Sequence, residues 1–243
     1  MRRFLSLAPL AALSWALAAD PASAPAPKGP PEEEMFQVQL AMLKTGPNVE
    51  EPKADDPRQG EHVKGLEALV RSGKALIAGP IEGTGDLRGL VVLDVPSRPE
   101  AERLLAKDPW IASGHLVAEY RTWFVAKKLF RPLKGAFTDV ETCTFALLVR
   151  PPSAPELSSE ERGLVQEGHM ANINAMAKAG ELLIAGPFEE DTSLRGVFVF
   201  RTTDRAKIEE LVSKDPAVAR GRLKVEPYTW YVSKGVLPAP AVP

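Results

Sequence analysis

Cysteine is nearly absent from this chain. Its 243 residues contain one, Cys143, so an intramolecular disulfide is excluded and stability must come from core packing. Histidine is almost as scarce, with three. Charge of one sign is missing too: 30 Lys and Arg face 32 Asp and Glu, a net charge of -2 with the signs interspersed. Without a basic stripe or cluster there is no footprint for nucleic acid. No G-x-S-x-G nucleophile elbow occurs. No Gly-rich phosphate loop follows a strand, and Gly83-Thr84-Gly85 reads as a hairpin turn.

Hydrophobic residues at 44% and charged residues at 26% are ordinary for a globular protein. The amino terminus differs in composition. Arg2 and Arg3 precede an apolar run from Phe4 to Ala19, followed by the A-x-A patterns Ala16-Leu17-Ala18 and Ala22-Ser23-Ala24. Residues 1–24 are therefore expected to be a secretory signal peptide, which makes the protein exported, periplasmic or extracellular. The run is shorter than the roughly 20 apolar residues of a membrane span and is broken by Pro9. No other stretch is long enough, so no membrane association is expected after cleavage. Residues 25–34, Pro-Ala-Pro-Lys-Gly-Pro-Pro-Glu-Glu-Glu, read as an extended spacer, and the Pro- and Val-rich stretch after Lys234 reads the same way.

Between these ends the chain repeats itself. His62 aligns with His169, a shift of 107 (169 − 62 = 107). The same shift carries Gly73 to Gly180, Gly79-Pro80 to Gly186-Pro187, Arg88-Gly89 to Arg195-Gly196, Asp108-Pro109 to Asp215-Pro216, Gly114 to Gly221 and Trp123 to Trp230. About thirty of roughly ninety gap-free positions are identical, which marks a tandem duplication. The modules fall at 35–130 and 141–236, with 237–243 as a tail.

Each module carries the same succession of patterns. Phe36, Val38, Leu40 and Met42 alternate with Gln37, Gln39 and Ala41, a strand period that Cys143, Phe145, Leu147 and Val149 keep in phase. A helix follows, begun by Asp56-Pro57 in the first module and by the capping-box pattern Ser158-x-x-Glu161 in the second. Its apolar stripe (Val63, Leu66, Leu69/Val70; then Ile173, Met176) stops at Gly73 and Gly180. Ala75 to Ala78 is a short strand running into Gly79-Pro80, and Gly89 to Val95 is another. Ser97-x-Pro99-Glu100 opens a second helix as a capping box, Asp108-Pro109 ends it, and Leu116 to Lys127 is the last strand. The order β-α-β-β-α-β is the ferredoxin-like plan, an α+β fold with both helices on one face of an antiparallel sheet. Two such modules can bury their open faces against each other, which predicts an intrachain pseudo-dimer of the dimeric α/β-barrel type.

The helix histidine, the Gly that ends the helix, the Leu-Ile-Ala-Gly-Pro turn, the Gly-led third strand, Lys-Asp-Pro after the second helix and the Trp of the last strand together resemble the YciI-like (YCII-related) family. The resemblance spans both repeats. It implies a dimeric α/β barrel and a suspected active site built on a His–Asp pair, here His62 with Asp108 and His169 with Asp215. It also implies enzymes acting on small cyclic or aromatic compounds in a few relatives. One departure stands out: the family usually has Phe after Asp-Pro, and here Trp110 and Ala217 occupy that place, so the pocket wall differs between modules.

The residues themselves allow more than one role. His62 shares the inward helix face with Leu66, and His169 with Ile173, where a histidine is also a common satisfied core residue. Asp108 and Asp215 can simply accept from backbone donors in the turn after the helix. An Asp that reaches the imidazole instead fixes its tautomer and makes it a general base. Arg88 and Arg195 are matched and suit an anionic substrate group, or lie on a strand edge. Trp123 and Trp230 are core or pocket lining. His115 aligns with Arg222 and looks incidental. One His and one Asp per module fall short of a catalytic zinc set, so neither a metal nor another cofactor is expected. Three readings follow: an enzyme using His–Asp acid/base chemistry (proton abstraction or elimination), a non-catalytic small-molecule binding protein, and a structural or interaction module.

Overall fold

A computed structural model describes residues 35–50, 53, 55–83 and 85–238. The signal peptide at 1–24, the spacer at 25–34 and residues 239–243 lie outside the described residues.

The first module runs β1 (Phe36–Thr45), α1 (Pro57–Arg71), β2 (Ala75–Pro80), β3 (Leu87–Leu93), α2 (Arg98–Leu105), α3 (Pro109–Ala112) and β4 (Leu116–Val125). The second repeats it as β5 (Val140–Val149), α4 (Ser159–Lys178), β6 (Leu182–Pro187), β7 (Leu194–Phe200), α5 (Arg205–Ser213), α6 (Pro216–Ala219) and β8 (Lys224–Ser233). Each forms an antiparallel four-stranded sheet, ordered β2-β3-β1-β4 and β6-β7-β5-β8. This is the ferredoxin-like arrangement expected from the pattern.

Local signals explain most boundaries. Asp56 caps α1 by accepting from Arg58 N at 2.9 Å, and Pro57 sits at the first helical position. Ser158 and Glu161 form the full capping box of α4. Gly73 and Gly180 leave these helices at φ +73° and +72°, a left-handed conformation that costs glycine little. Two boundaries differ from expectation. Ser97 precedes α2 without any side-chain cap bond. Asp108 does not merely end α2: that helix stops at Leu105, and Asp108 starts the short α3.

Strand alternation separates two kinds of core. Val38, Leu40, Met42, Leu90, Val92, Trp123 and Val125 meet Phe145, Leu147, Val197, Val199, Trp230 and Val232 in one cluster between the sheets. The opposite face of the first sheet (Ala41, Leu43, Val91, Leu93) packs on Leu66, Val70, Ala101 and Leu105 of α1 and α2. Phe198 and Phe200 of the second sheet pack on Ile173, Met176, Ile208 and Leu211 of α4 and α5. The sheets thus stack face to face within one chain, with helices outside.

The sheet edges also meet, and they do so symmetrically. Ile81 bridges Trp230, and Phe188, its equivalent, bridges Trp123. Glu82 N donates to Thr229 O at 3.0 Å, and Glu189 N to Thr122 O at 2.9 Å. These seams close the eight strands into a barrel-like core, pairing edges that would otherwise expose unsatisfied backbone.

The carboxyl-terminal boundary also shifts. Val236 and Leu237 are 0% and 5% exposed and belong to the inter-sheet core, so Leu237 is packed rather than the start of an extended tail. Val236 O accepts from Arg131 N at 2.8 Å, which holds this segment against the inter-module connection.

Cys143 lies in the same core, 2% exposed, with Sγ 3.7 Å from Trp230 O. Burial, and secondarily Glu141, pushes its thiol pKa up to about 12. Because only thiolate reacts readily, iodoacetamide at pH 8 is expected to leave native protein unlabelled and to label it fully in denaturant. Rapid labelling of native protein would contradict the buried placement.

Candidate active site

Both expected pairs are formed, with the same geometry. His62 Nδ1 lies 2.5 Å from Asp108 Oδ2, and His169 Nδ1 lies 2.5 Å from Asp215 Oδ2. The histidines stand on the inward faces of α1 and α4, and each Asp is the N-cap of the short helix behind them.

The carboxylate does two jobs at once. Asp108 Oδ1 accepts from Trp110 N at 3.0 Å and Ile111 N at 3.3 Å, and Asp215 Oδ1 accepts from Ala217 N at 2.8 Å. The backbone role and the imidazole role expected as alternatives are therefore filled by different oxygens of one side chain. An ionised carboxylate only accepts, so Nδ1 carries the proton and donates. That leaves the Nε2 lone pair as the reactive end of each ring. Neither Nε2 is among the buried side-chain atoms that lack a partner.

The two sites differ in their surroundings. Asp215 is 0% exposed against 8% for Asp108. The His169 side chain is 6% exposed and that of His62 14%. His169 stacks on Phe198, with centroids 6.1 Å apart and planes 19° apart; Val91 holds that place in the first module.

Trp110 and Ala217 account for most of the remaining contrast. Trp110 is 3% exposed, with Arg58 over its ring at 4.4 Å and His115 against it at 4.4 Å. Its Nε1 donates to Gln59 Oε1 at 3.2 Å. Arg58 is tied in turn to Asp56, whose carboxyl the guanidinium hydrogen bond holds below its usual range. Ala217 supplies none of this, and Gln166, the equivalent of Gln59, leaves Oε1 buried without a partner.

The other expected binding residues lie elsewhere. Trp123 and Trp230, both 1% exposed, belong to the inter-sheet core on the sheet face opposite the His–Asp pairs, because the strand alternation sends them inward. They are core residues, not walls of these sites. Arg88 is exposed and donates to Gly83 O at 2.8 Å in its own hairpin. Arg195 is held by Asp191 and Thr192 O.

His115 and Arg222 occupy matching positions but differ in charge and in their neighbours. Arg222 is 2% exposed, and Arg150 and Arg162 lie near it. These three arginines stand where the first module has His115, Thr45 and Asp55; Arg150 matches Thr45, since Arg150 N donates to Ser193 O as Thr45 N donates to Asp86 O. Among the described residues no group of three or more His, Cys, Asp or Glu is placed to hold a metal ion. None of the described helices is long and apolar enough to cross a membrane.

Two stacked ferredoxin-like sheets with a His–Asp pair on each helical side define a dimeric α/β-barrel protein made within one chain. The YCII-related domain model matches residues 38–123 and again 144–229. The chain belongs to the YCII-related domain family and carries two copies of the domain. Among solved structures it is similar to a heme-binding protein from Thermus thermophilus, at 14% identity and a TM-score of 0.51, over 82% of this chain and 92% of that one. It is also similar to a mutant chlorite dismutase from Candidatus Nitrospira defluvii, at 11% identity and a TM-score of 0.51, over 82% of this chain and 92% of that one. At these identities the likeness is one of fold. No curated protein matches the sequence.

Proposed function

We propose that the protein is a small-molecule enzyme that uses His62–Asp108 and His169–Asp215 for acid/base chemistry, by proton abstraction or elimination, and that it works outside the cytoplasm. The observation that carries this reading is the 2.5 Å Nδ1–Oδ2 contact repeated in both modules. It orients each ring and directs Nε2 as the base. Nε2 takes a proton from a substrate carbon or hydroxyl, the bonding pair passes into the substrate as an enolate or a new double bond, and the Asp carboxylate stabilises the resulting imidazolium. The positive start, apolar run and A-x-A patterns of residues 1–24 support export.

A haem does not fit the residues present. An axial histidine needs room for a macrocycle lying across its free nitrogen. His169 is 5% exposed and stacked on Phe198, and the helices pack directly on the sheets through contiguous apolar clusters. That packing argues against a porphyrin at His169.

A second reading, a capture protein that binds without turnover, is favoured by the depth of the second pair, with Asp215 at 0% exposure. The test starts from a thermal-shift screen of small cyclic and aromatic compounds on the mature protein, since a bound ligand raises apparent stability. Hits are then assayed for turnover. The enzyme reading expects the His62→Ala/His169→Ala double variant to lose roughly 10²–10⁴-fold in rate. Binding without turnover in the parent supports capture, and turnover unchanged in the double variant eliminates acid/base catalysis by these rings.

A further inference from the structure

The second module gathers three arginines that the first lacks, one of them buried. Arg222 is 2% exposed, and its Nε is buried with no hydrogen-bond partner. Its Nη1 donates to Pro155 O at 2.5 Å. Arg162 Nη1 donates to Leu157 O at 2.8 Å, and Arg150 lies 3.5 Å from Glu156. Three guanidiniums therefore converge on the loop 155–157 at the start of α4. Desolvation first, then the field of Arg150, lowers the Arg222 pKa; Glu156 opposes this, and Arg162 and Arg195 add to the depression. Glu156 is the carboxylate that opposes this shift, and its side chain is 87% exposed.

A guanidinium taken out of water without a compensating anion is costly. A carbonyl at Nη1 and three like-charged neighbours do not supply one. The face of α4 that bears Arg162 continues, at spacings of four and three, to Gln166 and His169. Gln166 Oε1 is itself buried and unpartnered. On the other side, Arg222 N donates to Ala217 O at 2.9 Å, and Ala217 is the residue whose N–H Asp215 caps. The arginines are thus tied by short covalent and hydrogen-bonded connections to the second His–Asp pair. In the first module the matching space holds Trp110 and His115 in ring contact.

We propose that Arg222, with Arg162 and Arg150, forms an oxyanion-binding site in the second module, taking the carboxylate or phosphate group of a small-molecule ligand. Arg222 Nε donates to one oxygen of the anion, and Arg162 and Arg150 neutralise its charge. Two turns of α4 before His169, the site makes anionic small molecules the ligand class of this module and leaves the first module without it. This specificity deepens the acid/base reading, but anion binding is measured without turnover and stands or falls separately.

The test is titration of the mature full-length protein with inorganic phosphate and, in parallel, succinate. Thermal shift and phosphorus NMR line broadening are read at fixed ionic strength and at concentrations too low for general salting effects. A saturable shift with phosphate, succinate or both supports the site, and which anion works identifies the group. Arg222→His, the residue of the first module, and Arg162→Gln should each weaken binding by about tenfold or more, the loss expected for a charge-assisted hydrogen bond. Arg103→Gln, which removes the same charge from the surface of the first module, should leave binding unchanged. If Arg222→His does not fold, Arg162→Gln decides. No saturable shift in the parent, or binding unchanged in the arginine variants, overturns the proposal.

Discussion

Gly186→Ala is expected to destabilise the protein by about 3 kcal/mol or more, because overpacking here acts on backbone rather than on an adaptable side chain. A Cβ at residue 186 would stand 1.9 Å from Phe124 O and 2.5 Å from Trp123 Nε1. Phe124 cannot yield freely, since β4 is held in register against β1 from Phe36 to Thr45. The added methyl must therefore push β6 away from β4 and open one seam of the barrel. Gly79→Ala repeats the experiment at the other seam, where the Cβ would stand 1.9 Å from Tyr231 O but 3.5 Å from Trp230 Nε1. It should be somewhat less damaging sterically, while threatening the Trp230 Nε1 to Gly79 O bond of 3.1 Å. Gly65, inside α1, has nothing within 4 Å of an added Cβ. Gly65→Ala should accordingly stabilise, by roughly 0.5–1 kcal/mol, through helix propensity and a less disordered unfolded state. Urea unfolding midpoints measure all three. A Gly186→Ala midpoint equal to that of the parent would show that β6 and β4 do not approach as described.

Asp215→Ala should cost roughly 2–4 kcal/mol, from two losses that add. Loss of the α6 cap contributes about 1 kcal/mol. The larger part, about 1–3 kcal/mol, comes from stranding the His169 Nδ1–H where Asp215 is fully buried. Asp215→Asn keeps the shape and can still accept from Ala217 N, but its amide nitrogen can only donate to His169 Nδ1, which forces the other tautomer and removes the carboxylate charge. It should fall between the parent and Asp215→Ala. Asp108→Ala should cost less than Asp215→Ala, because Asp108 and His62 are less sealed and water can reach the orphaned donor. The order of urea midpoints at constant m-value tests the argument. Equal losses at the two aspartates would mean that burial does not govern the cost.

The duplicated alternation of Phe36–Met42 and Cys143–Val149 already contains the fold, because a period of two assigns each strand one face for helices and one for the other sheet. The exceptions have local physical causes. Phe36 is 45% exposed at the start of β1, and its counterpart in the second sheet is Glu141 rather than Cys143: Phe36 pairs with Val125 as Glu141 pairs with Val232, so the first strands match at a shift of 105 (141 − 36) and the loop before α4 is two residues longer than the gap-free alignment implies. Leu237 reads as tail because two apolar residues among prolines carry no periodicity, and only the neighbouring Arg131 reveals that the chain turns back into the core. Trp123 and Trp230 are ambiguous in sequence since an aromatic in a strand suits either a pocket wall or a core, and sheet packing alone distinguishes them.

The sequence by itself determined the duplication and the order of elements, since both follow from spacing along the chain, while the His–Asp pairing was implied by the resemblance to the YCII-related family and not by spacing. It also contained the Gly-Pro motif at the ends of β2 and β6. Why those positions are glycine was decided only in three dimensions, by the carbonyls of Tyr231 and Phe124 in the opposite module. The same holds for how one aspartate divides its oxygens between helix cap and imidazole, and for the gathering of Arg150, Arg162 and Arg222. Charge and hydrogen-bond demand at a point depend on what lies around it in space, which linear spacing does not encode.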